Sequence, residues 1–324
     1  MKNTNHYNPL LLIFFVLLFS ACTDNNTPDT QATLEYDIEA KLGEGAFWNH
    51  HTQEFYWVDI EGLKLHIYNP ATKENRTLTT PTRIGTVVPS KGEEAVVALV
   101  DGIYMMNTKS GALRLLSDVE ADMPGNRFND GKCDPNGNLW VGSMYYGQDA
   151  PLANLYKVTP SGEATVMKDS VTISNGIVWT SDNKTMYYID TPTAKIMAYD
   201  YDMSTSTISN ERVAVEVPES EGFPDGMAID AEDMLWVGLW NGSAVARYNP
   251  ETGKLISKIE VPALNVTACA FGGENLDVLY ITTARLGTSE EQLEKWPNAG
   301  SIFKANPGVK GVKSALFGTQ SEGN

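Results

Sequence analysis

The chain has 324 residues, 42% of them hydrophobic, and a formal charge of −17. That apolar fraction supports a large core, and the length fits two domains or one large all-β domain. The acidic balance and the lack of a basic patch exclude a nucleic-acid surface, and the surplus acids read as the solubilising surface of an exported protein.

The N-terminus reads as a sorting signal. Met1 to Pro9 is polar with Lys2, and Leu10 to Phe19 is an unbroken apolar run, too short to span a bilayer as a helix. Ser20 and Ala21 then precede Cys22. This is a secretory pattern over residues 1–21. It resembles a bacterial lipoprotein signal, in which Cys22 becomes the lipidated first residue, although Phe19 stands where Leu is usual. Thr23 to Thr33 is rich in Thr, Asn, Asp and Pro, so residues 22–33 read as a flexible tether. A single folded domain is expected over 34–324. The expected location is the cell envelope, on its periplasmic or surface face, with membrane contact only through the lipid.

Strand signals then recur. Phe55 to Ile60, Ala95 to Leu99, Asn138 to Gly142, Met186 to Asp190, Met234 to Gly238 and Asp277 to Ile281 are apolar and rich in β-branched and aromatic residues. Each is followed by a second strand-like run, and turns such as Asp134-Pro135-Asn136-Gly137 separate them. The period lies in the forties, the range of a four-stranded propeller blade. The fold expected is all-β, a six-bladed β-propeller with four-stranded blades. Leu34 to Ala40 is expected to close the ring as the outer strand of the last blade. Thr288-Ser289-Glu290-Glu291 fits a capping box and predicts one short helix before Pro297. Trp140 and Trp236 are read as core. Cys133 and Cys269, inside apolar runs, are read as buried thiols.

Ahead of each of these strands lies another apolar segment, the expected channel-lining strand of its blade. Four of them begin with an acid or amide followed by Gly: Glu44-Gly45, Asp130-Gly131, Asn175-Gly176 and Asp225-Gly226. At equivalent repeat positions these side chains meet at one mouth of the channel. Carboxylates converging there repel unless a cation joins them, and an oxygen-only set suits a hard divalent ion, calcium first, with magnesium, manganese or zinc as alternatives. Taken singly, Asn175 and Asp225 are also ordinary turn-capping residues.

The strings Asn126-Arg127-Phe128-Asn129-Asp130-Gly131-Lys132, Ser174-Asn175-Gly176 and Pro224-Asp225-Gly226-Met227, with Leu42-Gly43-Glu44-Gly45 and Thr282-Thr283-Ala284-Arg285, carry a resemblance. The chain resembles the regucalcin/gluconolactonase family of six-bladed propellers from about Leu42 to Val312. The resemblance implies a divalent metal held by Glu44, Asn175 and Asp225, with Arg127 and Asn129 contacting substrate. It implies a metal-dependent lactonase acting on a sugar-acid lactone, in which Asp225 also takes a proton from the attacking water. Asp130 is read as a structural acid holding Asn129 and Lys132, and Arg127 has a salt bridge to Asp130 as its alternative role. One departure is that Gly142-Ser143-Met144 is followed by Tyr145-Tyr146-Gly147, without the carboxylate that sugar-lactone members can carry there. Tyr145, Tyr146 and Trp240 are read as rim or inter-blade packing, with stacking on substrate as the alternative. A metal-dependent phosphotriesterase, or a non-enzymatic propeller binding carbohydrate or protein, are the competing functions.

Overall fold

The computed structural model describes residues 1–2 and 27–319. The expected signal segment, Cys22 and the first part of the tether lie outside the described residues. Six four-stranded antiparallel sheets follow one another around a ring. Blades 1 to 5 each use four consecutive strands, beginning with the inner strands Gly43–Asn49, Ile84–Pro89, Asn126–Cys133, Ser174–Trp179 and Phe223–Ile229. Blade 6 runs Asn265–Gly272, Val278–Ala284 and Ile302–Ala305, and its outer strand is Thr33–Tyr36. The N-terminal segment therefore closes the ring, as expected, with Leu34 opposite Phe303. The strand is shorter than the expected Leu34 to Ala40. Docking also begins earlier than a free tether would allow, because Asp29 N donates to Asn306 O and Ala32 N to Glu260 O.

Burial sorts the strands by their place in a blade. All residues of the inner strands Gly43–Asn49 and Ile84–Pro89 are buried, since they face the channel on one side and the next blade on the other. The outer strand Glu74–Thr79, with sequence ENRTLT, is mostly exposed or half-buried. Trp57, Trp140 and Trp236 are among the largest fully buried side chains. Two repeat a local design: the indole N–H of Trp140 donates to Asp134 and that of Trp236 to Asp230, each at 2.9 Å. Each carboxylate is six residues upstream in the preceding turn, so a buried acid and a buried indole satisfy one another.

Blades pack so closely at the axis that side chains are excluded. A Cβ added to Gly226 would lie 2.6 Å from Ala268 Cβ, and one on Gly176 would lie 2.9 Å from Asp225 O. Cys133 and Cys269 are both buried and unbonded. The helix Glu290–Lys295 begins one residue later than expected: Ser289 caps it, and Gln292 completes the box by accepting from Ser289 N. The C-terminal segment 310–319 crosses the channel mouth at the far ends of the inner strands. It bonds Ala231 N through Lys310 O, and its Phe317 N and Gly318 N donate to Pro89 O and Gly137 O. Leu316 and Phe317 bury their side chains there. The segment thus lies over the far ends of blades 2, 3 and 5, away from the bulged starts of the inner strands.

Candidate metal centre and substrate cavity

Every inner strand is irregular at the same place. Its register shifts between residues 44 and 47, 84 and 86, 128 and 131, 175 and 177, 224 and 227, and 266 and 269 in successive blades. Such bulges bend a strand and re-aim its side chains. In blades 1, 3, 4 and 5 the polar residue at the bulge faces one cavity.

Four such residues line one cavity of about 510 Å³: Glu44, Asn129, Asn175 and Asp225, with Arg127 beside them. All five are more than nine-tenths buried. The convergence expected from repeat spacing is therefore present, with one substitution. In blade 3 the side chain on the cavity is Asn129, and Asp130 is not among the lining residues. Neighbouring strand residues face opposite ways, and the bulge selects the first. Asp130 Oδ1 accepts from its own Gly131 N at 2.8 Å. Its expected partners are engaged elsewhere: Lys132 Nζ donates to Met227 O. Arg127 makes no ion pair among the described residues; its Nη1 donates to Asn129 Oδ1 at 2.6 Å and to Phe128 O at 3.0 Å.

From Arg127 a hydrogen-bond chain runs across three blades. Asn129 Nδ2 donates to Asn175 Oδ1 at 3.1 Å and to Ser174 O at 2.8 Å. Asn175 Nδ2 donates to Thr191 Oγ1, which donates in turn to Pro224 O, both at 2.8 Å. This chain fixes both amides: Asn175 spends its nitrogen on Thr191 and keeps Oδ1 as an acceptor. Thr191 is a member that sequence reasoning missed. It sits in the short 3₁₀ turn Thr191–Thr193, where a Thr beside Pro looks like any turn residue.

The two carboxylates stand apart from this chain. Glu44 Oε2 and Asp225 Oδ1 are buried without a hydrogen-bond partner. Burial, and next the Asp130 charge, push the Glu44 carboxyl up to about 8, with the Arg127 cation pulling the other way. Burial pushes Asp225 well above the carboxylate range, and the neighbouring charges of Glu44 and Asp130 add to it. Among the described residues no three His, Cys, Asp or Glu side chains form a metal cluster, since the third oxygen of this set is an amide. Two orphaned carboxylate oxygens and a fixed amide oxygen on one cavity suit a hard cation with oxygen ligands.

The rest of the cavity lining is largely apolar. Leu42, Met144, Ile173, Pro192, Phe223, Trp240 and Leu286 supply it. Tyr145 and Tyr146 do not line the cavity, and Tyr146 instead lies under the Arg83 guanidinium, 5.4 Å from ring centre to Cζ. Trp240 lines the cavity and also packs against the core.

Comparison with known proteins places the chain in a family. The family described as SMP-30/Gluconolactonase/LRE-like region matches residues 42–285. A Bacillus subtilis protein named "Putative sugar lactone lactonase YvrE" is 38% identical, over 88% of this chain and 98% of its own. Regucalcin from Xenopus laevis is 37% identical, over 86% and 95%. The crystal structure of a calcium-binding regucalcin from Agrobacterium tumefaciens superposes with a TM-score of 0.85 at 28% identity, covering 89% of this chain and 98% of its own.

Proposed function

This chain belongs to the SMP-30/gluconolactonase/LRE-like family, and from that premise we propose that it is a metal-dependent lactone hydrolase. The observation that carries the reading is the pair of unpartnered buried oxygens, Glu44 Oε2 and Asp225 Oδ1, on the cavity that Asn175 also lines. Left uncompensated, two such carboxylates cost free energy. A divalent cation held by Glu44, Asn175 and Asp225 removes that cost, and calcium fits the oxygen-only set best. When bound, the ion would polarise the lactone carbonyl and stabilise the negative charge that builds on its oxygen.

The protein's own groups supply the rest. Asp225 accepts the proton of the attacking water as the water oxygen bonds to the carbonyl carbon. The ring C–O bond then breaks, and the proton passes to the leaving ring oxygen. Arg127 is anchored through Nη1, and the rest of its planar fork orients the substrate. Asn129, held by Arg127 and by Ser174 O, positions the ester end. Sugar-acid lactones, the class in the Bacillus subtilis relative's name, are the first to assay. Chelated protein should lose ring-opening activity, read as proton release, and regain it with calcium. Asp225→Ala should lose it under both conditions, and an unchanged rate in that variant removes the proposal. Calcium binding with no turnover on any lactone leaves a calcium-binding propeller instead.

The N-terminal pattern supports a second proposal, that Cys22 carries a lipid and anchors the propeller to the cell envelope.

A further inference from the structure

The polar groups of the cavity lie together on its floor, and most are already engaged. Asn129, Asn175 and Thr191 bond one another and nearby carbonyls. The remaining wall is built from Met144, Ile173, Pro192, Phe223, Trp240 and Leu286, of which Pro192 and Leu286 are exposed. These residues come from blades 3 to 6, so the apolar lining is shared by four blades. Among the described residues that line the cavity, Gln148 and Asn241 are the polar side chains exposed to solvent. Leu286 is itself 47% exposed, an uncovered apolar side chain beside a cavity on a strongly acidic protein.

This arrangement is poorly suited to a polyhydroxylated ring. Each hydroxyl turned toward that wall would leave water without gaining a partner, which is costly. A hydrocarbon group in the same place gains from leaving water. We infer that the substrate is a lactone bearing an apolar alkyl or aryl substituent, which seats against Phe223, Trp240 and Leu286 while the ester points to the polar floor. The inference rests on the lactonase reading for its ester end and narrows the substrate class.

Binding of inert lactams tests it without requiring turnover. Calorimetry on calcium-loaded protein would compare 2-piperidinone, its 6-propyl and 6-pentyl derivatives, and glucono-δ-lactam. The expected result is a dissociation constant falling roughly two- to fourfold per methylene, with the pentyl compound binding at least about tenfold tighter than the sugar lactam. Leu286→Gln, at an exposed position that leaves the fold intact, and Trp240→Gln should each flatten the dependence on chain length. Affinity independent of chain length, or tighter binding of the sugar lactam, overturns the inference. Hydrolysis of the matching lactones is followed in parallel. A chain-length gradient in binding with no hydrolysis supports the apolar subsite and refutes the hydrolase reading.

Discussion

Replacing Glu44 with Gln isolates the cost of crowding acids at the channel mouth. In the metal-free protein the Glu44 carboxyl sits at about 8, against an ordinary 4.5, because it is buried and faces other acids. The folded chain thus holds this proton more tightly than the unfolded chain does. Its contribution to stability is complete below about pH 4.5 and is lost as the pH rises toward 8. Between pH 5 and 7.5 the loss is on the order of 3 kcal/mol, and Asp225, raised for the same reasons, loses stability in the same direction. For a domain of this size 3 kcal/mol corresponds to roughly 5 °C or more in melting temperature. The assay is a thermal melt in chelator at both pH values. Wild type should fall by that margin more than Glu44→Gln, which has no proton to lose. Calcium at pH 7.5 should restore wild type and do less for the variant, because ligand binding stabilises only a fold that binds it. Parallel pH dependence of the two proteins in chelator would refute the reasoning.

Other expectations follow from the same contacts. Gly226→Ala puts a methyl 2.6 Å from Ala268 Cβ and 3.0 Å from Thr267 O, and should cost about 2 kcal/mol or more in urea unfolding. Because Gly226 adjoins Asp225, lactone hydrolysis should fall with it. Phe317→Ala opens a cavity under the C-terminal segment, where Phe317 is 3% exposed, and should cost about 3 kcal/mol by the same measurement while sparing the Asp225 cavity. Cys22→Ser should move the protein from the membrane pellet to the soluble fraction on cell fractionation; an unchanged distribution would remove the lipid anchor.

The repeat was readable because a propeller places one strand in the same role six times. Glu44, Asn175 and Asp225 share a spacing and a following Gly, so their meeting could be inferred before any coordinates. The choice between Asn129 and Asp130 could not. Two adjacent polar residues alternate faces, and only the bulge between residues 128 and 131 decides which one reaches the cavity. Thr191 and Phe223 were hidden for another reason: one lies in a short turn of blade 4 and the other begins a strand of blade 5, where residues of the same types are ordinary. The segment 310–319 has neither β nor helical periodicity, so nothing local marks Leu316 and Phe317 as buried. Its position depends on carbonyls at Pro89 and Gly137, far away in the chain.

The central claim is that one ion joins Glu44, Asn175 and Asp225. A crystal structure of the protein grown with calcium tests it most directly. The account predicts a single density peak at about 2.3–2.6 Å from Glu44 Oε2, Asn175 Oδ1 and Asp225 Oδ1, lost in Asp225→Ala. Saturating calcium that leaves this cavity empty, or that settles elsewhere on the propeller, would contradict it.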